Sequence, residues 1–216
     1  MKFNTILFDL DGTLTDPGIG ITNSVMYALD KYGITVSDRR QLFCFIGPPL
    51  WESFERFYGF SETDAKRAVE YYREYYRVTG IFENTVYDGI DALLASLENS
   101  SKTLLVATSK PEIFAEQILE HYDLAKYFSF IGGSELDGAR VNKHEVIRYA
   151  LEMAGVTDLT TTVMVGDREH DILGAKTMGI ASVGVLFGYG SRREFENAGA
   201  DFIAETVDDL RRILLT

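Results

Sequence analysis

Only one cysteine, Cys44, occurs in the 216 residues, so no disulfide can form within the chain, which suits a reducing compartment. Long apolar runs are missing as well. Nowhere do ~18 apolar residues follow one another, the length a helix needs to span a bilayer. The run Thr5-Ile6-Leu7-Phe8 is too short for a signal peptide. Positive charge is scarce: 21 Lys and Arg stand against 33 Asp and Glu, a formal net charge of −12. Nucleic-acid polymers and anionic membranes both reward clustered positive charge, so neither is an expected partner. A small anionic ligand would need a local cation to offset the acidic field. No internal repeat or low-complexity tract is visible. Hydrophobic residues at 46% and charged residues at 25% are ordinary globular values and exclude a disordered chain. The expectation is a soluble, cytoplasmic protein.

What is present is an alternation. Short β-branched runs bounded by turn residues fall at 5–8, 103–108, 128–131, 161–165 and 182–186. Segments of helical period, 113–122, 145–153 and 171–178, lie between the later ones. Strands alternating with helices indicate an α/β fold with a parallel sheet, of Rossmann-like type. In such sheets the ligand crevice lies outside the carboxyl ends of the strands, so chemistry is sought in the residues just after each run. Residues 16–84 break the alternation and read as consecutive helices. Ile21, Val25, Ala28, Leu29 and Tyr32 repeat at helical spacing. Ser61-Glu62-Thr63-Asp64 has the outline of a capping box. In the helix after it, Ala65, Ala68, Val69, Tyr72 and Tyr76 share one face. The expected organisation is therefore an α/β core, residues 1–15 and 85–216, with an inserted all-helical cap, residues 16–84.

Asp9-Leu10-Asp11-Gly12-Thr13 follows the first strand directly. Residues two apart on extended chain point to one side, so Asp9 and Asp11 aim at the same crevice. A plain solvated turn is the bland alternative. A calcium loop is excluded, because Leu14 stands where that loop needs Gly and Gly20 where it needs Glu. Gly166-Asp167-Arg168-Glu169-His170-Asp171 follows the 161–165 strand and brings two more carboxylates to the same sheet edge. Acids decorating a helix N-terminus would explain one of them, not four converging. Four carboxylates in one crevice repel unless a cation compensates, and oxygen ligands alone suggest Mg²⁺. Thr108 ends another strand, followed by Ser109-Lys110-Pro111, where helix capping is the competing explanation. With Pro111 at the first helical position, the cap would be Lys110. Lys143 opens a helix and, taken alone, reads as a solvated lysine.

These four pieces, in order and each at a strand or helix end, resemble the haloacid dehalogenase superfamily. Phe8-Asp9-Leu10-Asp11-Gly12-Thr13-Leu14 is similar to its first motif, Thr108 to its second, Lys143 to its third, and Gly166-Asp167-x-x-x-Asp171 to its fourth. Within that family the chain looks most like phosphoglycolate phosphatase-like and 5′-nucleotidase-like members. Phe45-Ile46-Gly47-Pro48-Pro49-Leu50 resembles the cap loop of that branch, and Ala107-Thr108-Ser109-Lys110-Pro111 its second motif. One departure is His144, where many relatives have proline after the motif-three lysine. The resemblance implies a phosphatase acting on a small phosphorylated metabolite. Asp9 would be the nucleophile, forming an aspartyl-phosphate, and Asp11 the general acid and base. Mg²⁺ would be held by Asp9, the Asp11 carbonyl and Asp167, with Asp171 in support. Thr108 and Lys143 would bind phosphoryl oxygens, with Ser109 and Gly47 as further substrate contacts. The cap would exclude water.

Rivals separate on particular residues. A haloacid dehalogenase or a phosphonatase would be expected to depart at Asp11. A phosphomutase shares all four motifs. A receiver-type phospho-acceptor domain, a non-enzyme, would be about half this length, without a cap, and would carry its acceptor on a middle strand. Residues 16–84 hold 14 of the chain's 27 aromatic residues. Trp51, Tyr71, Tyr72, Tyr75 and Tyr76 read as cap packing. The loop at Gly47-Pro48-Pro49 is stiffened by its prolines and flanked by Phe45 and Trp51. It would suit a flat or bulky leaving group, which puts nucleoside 5′-monophosphates ahead of phosphoglycolate.

Overall fold

The computed structural model describes residues 3–136 and 139–215. In chain order its elements are β1 (Thr5–Phe8), β2 (Thr15–Asp16), α1 (Gly18–Asp30), α2 (Leu50–Tyr58), α3 (Glu62–Tyr76), β3 (Thr85–Val86), α4 (Ile90–Asn99), β4 (Thr103–Pro111), α5 (Glu112–His121), β5 (Phe130–Ser134), α6 (Lys143–Met153), β6 (Thr162–Gly166), α7 (Glu169–Met178), β7 (Ala181–Val185), α8 (Arg192–Ala198), β8 (Phe202–Ala204) and α9 (Val207–Leu215). The chain divides into two compact units, residues 1–15 with 86–216, and residues 16–85. β2 and β3 pair with each other where the chain passes from one unit to the other.

The first unit is a six-stranded parallel sheet of order β5-β4-β1-β6-β7-β8. β1 sits in its centre because Ile6, Leu7 and Phe8 are apolar on both faces and wholly buried, as a strand covered on two sides requires. Burying each such side chain favours the fold by roughly 1.5–3 kcal/mol. Leu7, Leu105 and Met164 from three adjacent strands meet Val146, Ile147 and Ala150 of α6 and Ala175 of α7 in one core cluster. Strand register sets the position of the site. Phe8 pairs with Val106 on one side and Val165 on the other. Val106, Phe8 and Val165 are thus level, and the residues that follow them emerge at one sheet edge, with β4 running on to Pro111.

Most element bounds shift by a residue or more from the sequence expectation, and three differences are larger in consequence. The strand expected at 128–131 runs Phe130–Ser134, because Ala125–Tyr127 forms a 3₁₀ turn first. Pro111 precedes its helix instead of opening it, with φ −54° and ψ 130°, and α5 begins at Glu112. Lys110 is therefore not a helix cap. The sheet also gains β8 at its edge, Phe202-Ile203-Ala204, an apolar run of only three residues.

The second unit is helical. α3 starts at Ser61, whose side chain accepts the Asp64 N–H at 3.1 Å. Its buried face is Ala65, Ala68, Val69, Tyr72 and Tyr76, with Tyr72 stacked on Tyr76 at 5.3 Å. α1 contributes Val25, Ala28 and Leu29 to that unit's core. Arg39–Phe45 is a 3₁₀ helix that buries Leu42 and Phe45. Phe45 packs on Phe54 at a centroid distance of 5.0 Å and is only 1% exposed. It belongs to the core and is not free to flank a substrate loop. Trp51, read from sequence as packing, is 45% exposed.

Candidate active site

Four strand or helix ends supply the site. Asp9 follows β1, its N–H donating to the Val165 carbonyl at 2.9 Å, so the two strand ends are tied together at that residue. Beyond Asp9 the chain turns tightly. The Leu14 and Thr15 N–H groups return to the Leu10 carbonyl, and Gly12 N–H donates to the Thr15 carbonyl at 2.7 Å. Gly12 has φ +82°, and a Cβ there would lie 2.1 Å from Asp167 Oδ2. Only glycine fits this position, for both conformation and space.

Asp167 follows β6 and is buried, with Oδ2 accepting the Tyr189 N–H at 2.8 Å. Asp171 lies in the first turn of α7. Its Oδ2 accepts the Arg168 N–H at 3.0 Å, which is the helix-start role expected of an acid there. Its Oδ1 does something else, meeting the Lys143 Nζ at 2.8 Å. Glu194 of α8 braces this turn, accepting from Glu169 N–H at 2.8 Å and pairing with Arg168 at 2.9 Å.

Lys143 opens α6, where the Glu145 carboxylate accepts the Asn142 N–H at 3.2 Å. The lysine is buried and stretches beneath the crevice. Its Nζ lies 2.9 Å from Asp9 Oδ1 and donates to the Ala107 carbonyl at 3.1 Å. Gly174 on α7 leaves room for its stem, since a Cβ there would stand 2.8 Å from Lys143 Cγ. The reading of Lys143 as a solvated surface lysine is thereby excluded.

Carboxylate oxygens of Asp9, Asp167 and Asp171 all lie within 4.8 Å of one another, and all three residues are buried. Burial raises the Asp167 pKa well above its ordinary value, and the neighbouring charges of Asp171 and Asp9 add to this. Burial likewise raises Asp171, with Lys143 opposing and Asp9 reinforcing. For Lys143 burial acts to lower the pKa, but Asp171 and Asp9 outweigh it and the net shift is upward. Three carboxylates against one ammonium leave negative charge in a buried place. An all-oxygen donor set of this kind fits a hard divalent cation.

A second lysine joins the site, one that lies within the second-motif stretch but to which the sequence assigns no role. Lys110 Nζ pairs with Asp11 Oδ2 at 2.5 Å, and both side chains are largely buried. Its register explains the reach: β4 shifts against β5 between Ala107 and Pro111, which bends residues 108–110 over the sheet edge. The Thr108 side chain is buried at this bend and its Oγ1 accepts the Lys110 N–H at 3.2 Å. Burial raises the Asp11 pKa, with Lys110 opposing. Ser109 does not join the cluster through its hydroxyl, which donates to the Val141 carbonyl at 3.2 Å. Gly47 lies in the helical unit, at φ +103°.

The chain is also similar to known proteins along its length. The family model described as haloacid dehalogenase-like hydrolase matches residues 6–185. A protein of Pseudomonas aeruginosa named 5′-nucleotidase is 47% identical over 99% of this chain and 96% of its own length. A protein of Mycobacterium tuberculosis named tyrosine-protein kinase PtkA is 39% identical over 97% of this chain and 72% of its own. The crystal structure of a predicted phosphatase from Clostridium acetobutylicum superposes with a TM-score of 0.95 at 50% identity, covering 100% of this chain and 99% of that one. No helix among the described residues is long and apolar enough to cross a membrane. The chain belongs to the haloacid dehalogenase-like hydrolases and is a phosphatase of that family.

Proposed function

We propose that this phosphatase hydrolyses small phosphate monoesters with Mg²⁺ by way of a phosphoryl group carried on Asp9. Nucleoside 5′-monophosphates are its substrates ahead of phosphoglycolate. The observation that carries the reading is the convergence of Asp9, Asp167 and Asp171 within 4.8 Å, beside a buried lysine. Asp9, Asp167 and the Asp11 carbonyl would hold the ion, with Asp171 in support. When bound, Mg²⁺ supplies charge neutralisation and orientation for the phosphoryl group.

The chain's own residues do the rest. Asp9 attacks phosphorus as the bond from phosphorus to the ester oxygen breaks, and Asp11 gives its proton to that oxygen, so a neutral alcohol leaves. Asp11 then takes a proton from the water that attacks phosphorus. Inorganic phosphate departs and the Asp9 carboxylate is restored. Thr108 and Lys143 bind the phosphoryl oxygens and the charge that grows on them. Lys143 also holds Asp9 in place before substrate arrives.

The preference for nucleotides is supported by the 47% identity to the 5′-nucleotidase. The Agrobacterium fabrum phosphoglycolate phosphatase is 31% identical. Burial of Phe45 removes one of the two aromatic flanks from the Gly47-Pro48-Pro49 loop and leaves Trp51. The test is kcat/KM for nucleoside 5′-monophosphates, phosphoglycolate and sugar phosphates. A tenfold advantage for phosphoglycolate, about 1.4 kcal/mol of transition-state preference, would remove the nucleotide assignment. Conversion of a sugar 1-phosphate to its 6-phosphate without free phosphate would establish the phosphomutase alternative. Transfer from a nucleoside triphosphate to tyrosine, the activity in the name of the mycobacterial relative, is the remaining counter-assay.

A further inference from the structure

We infer that Lys110 is a positioning residue for Asp11: it tethers Oδ2 of that carboxyl and leaves Oδ1 as the oxygen that exchanges a proton with the ester oxygen. The inference rests on the proposed role of Asp11 and adds to it a second lysine with a separate task.

The two carboxylates of the Asp9-x-Asp11 pair are held by different lysines from different elements. Lys143, from α6, meets Asp9 and Asp171. Lys110, from the end of β4, meets Asp11 Oδ2 at 2.5 Å. The pair is an enclosed one, with side-chain exposures of 6% for Lys110 and 15% for Asp11. A surface ion pair would fix little. An enclosed charge-assisted hydrogen bond fixes a rotamer.

The two Asp11 oxygens are consequently unequal. Oδ1 is buried and has no hydrogen-bond partner among the described residues. A buried carboxylate oxygen left without a donor is costly, and such orphans persist where a ligand group completes them. The ester oxygen of a bound monoester, in its protonated and leaving form, is the partner that Asp11 Oδ1 needs in the proposed reaction. Lys110 is fixed in turn by its own backbone, whose N–H donates to Thr108 Oγ1 at 3.2 Å. The register shift of β4 against β5 supplies the bend. A proton donor misplaced by a small distance loses much of its effect, so an anchor on the other oxygen has a direct kinetic value.

The experiment compares Lys110→Met with Asp11→Asn on two substrates. One is an alkyl phosphate, whose leaving oxygen needs a proton; the other is p-nitrophenyl phosphate, whose leaving group needs little. The comparison is made in kcat/KM, which reports the step in which the alcohol leaves and not the later hydrolysis at Asp9 that both substrates share. Lys110→Met is expected to lower kcat/KM for the alkyl ester by roughly tenfold to a hundredfold, within the range of general acid catalysis. Its kcat/KM for p-nitrophenyl phosphate should fall by no more than about threefold, and Lys110→Arg should recover part of the alkyl value. Asp11→Asn should discriminate in the same sense and more strongly. If Asp11→Asn discriminates and Lys110→Met slows both substrates equally, the positioning role of Lys110 is wrong while the acid role of Asp11 stands. If Asp11→Asn itself slows both equally, the acid role falls and the tether falls with it. Should Lys110→Met fail to fold, Lys110→Gln carries the same comparison.

Discussion

Lys143 and Asp171, on the first turns of adjacent helices, meet at 2.8 Å in a place where Asp171 is 1% exposed. The same ammonium reaches Asp9, so one lysine holds two carboxylates that would otherwise repel. Removing one partner of a buried pair leaves uncompensated charge, which typically costs about 3–5 kcal/mol. Lys143→Met should therefore lower the unfolding free energy by roughly that amount and abolish turnover. Saturating Mg²⁺ should return much of the lost stability, because the ion takes over the compensation. Urea unfolding with and without Mg²⁺ checks this; a variant as stable as the parent in EDTA would contradict it.

The buried carboxyls also fix a pH dependence. Asp11, Asp167 and Asp171 all have folded pKa values raised above the ordinary 3.8, in each case first by burial. Between 3.8 and those raised values the folded state binds more protons than the unfolded one. Stability then grows as pH falls through the folded pKa values and is lost as pH rises through them. Carboxylates lowered by surface partners, such as Asp38 and Asp158, give up their contribution only below 3.8, outside this window. In EDTA the Tm should accordingly rise on mild acidification from neutral pH. With Mg²⁺ present the slope should flatten or reverse, since metal binding displaces those protons. A metal-free Tm that falls steadily on acidification over that window would count against the assignment.

Loss of the metal should be visible in activity as well. EDTA should silence turnover and Mg²⁺ should restore it, while Ca²⁺ should bind and support poor turnover, because its looser coordination disturbs the attack geometry. Asp9→Asn should be folded and inactive. An acid quench of the parent enzyme during turnover should show a phosphoryl mass on the peptide that contains Asp9. Near-normal activity of Asp9→Asn would refute covalent catalysis at that residue.

Burial decides how much of the fold and site is legible in the sequence. β1 and β6 are central strands covered on both faces, so their apolar runs stand out, and level strand ends carry Asp9 and Asp167 to one edge. β8 is apolar too, Phe202-Ile203-Ala204, but three residues are too short a run to read as a strand. Lys110 is hidden by Pro111. A proline is common at the start of a helix, so the residue before it reads as a cap, whereas the chain stays extended through Pro111 and sends Lys110 to Asp11. Phe45 misleads for a similar local reason. Its neighbours Gly47, Pro48 and Pro49 mark a loop, but the 3₁₀ turn just before them points the ring into the helical unit's core. Ion pairs between elements far apart in sequence leave no periodic trace, and only the fold reveals which lysine serves which carboxylate.

Gly12 offers the most local test of the metal assignment. It sits at φ +82°, and a Cβ added there would fall 2.1 Å from Asp167 Oδ2 and 2.4 Å from Asp167 Cγ. A left-handed conformation costs a non-glycine residue about 1–2 kcal/mol, which a domain of this size survives. The contact with Asp167 cannot be relieved so cheaply, because that carboxylate is buried and tied to the Tyr189 N–H. Gly12→Ala should therefore fold with a Tm lowered by more than the conformational cost alone, and displace Asp167 from Asp9 and Asp171. Its Mg²⁺ affinity should drop by roughly tenfold or more, in line with disturbed ligand placement. The measurement is the rise in Tm with Mg²⁺ concentration, which reports binding to the folded state independently of turnover. An unchanged Mg²⁺ dependence in a folded Gly12→Ala protein would mean that Asp167 does not hold the ion.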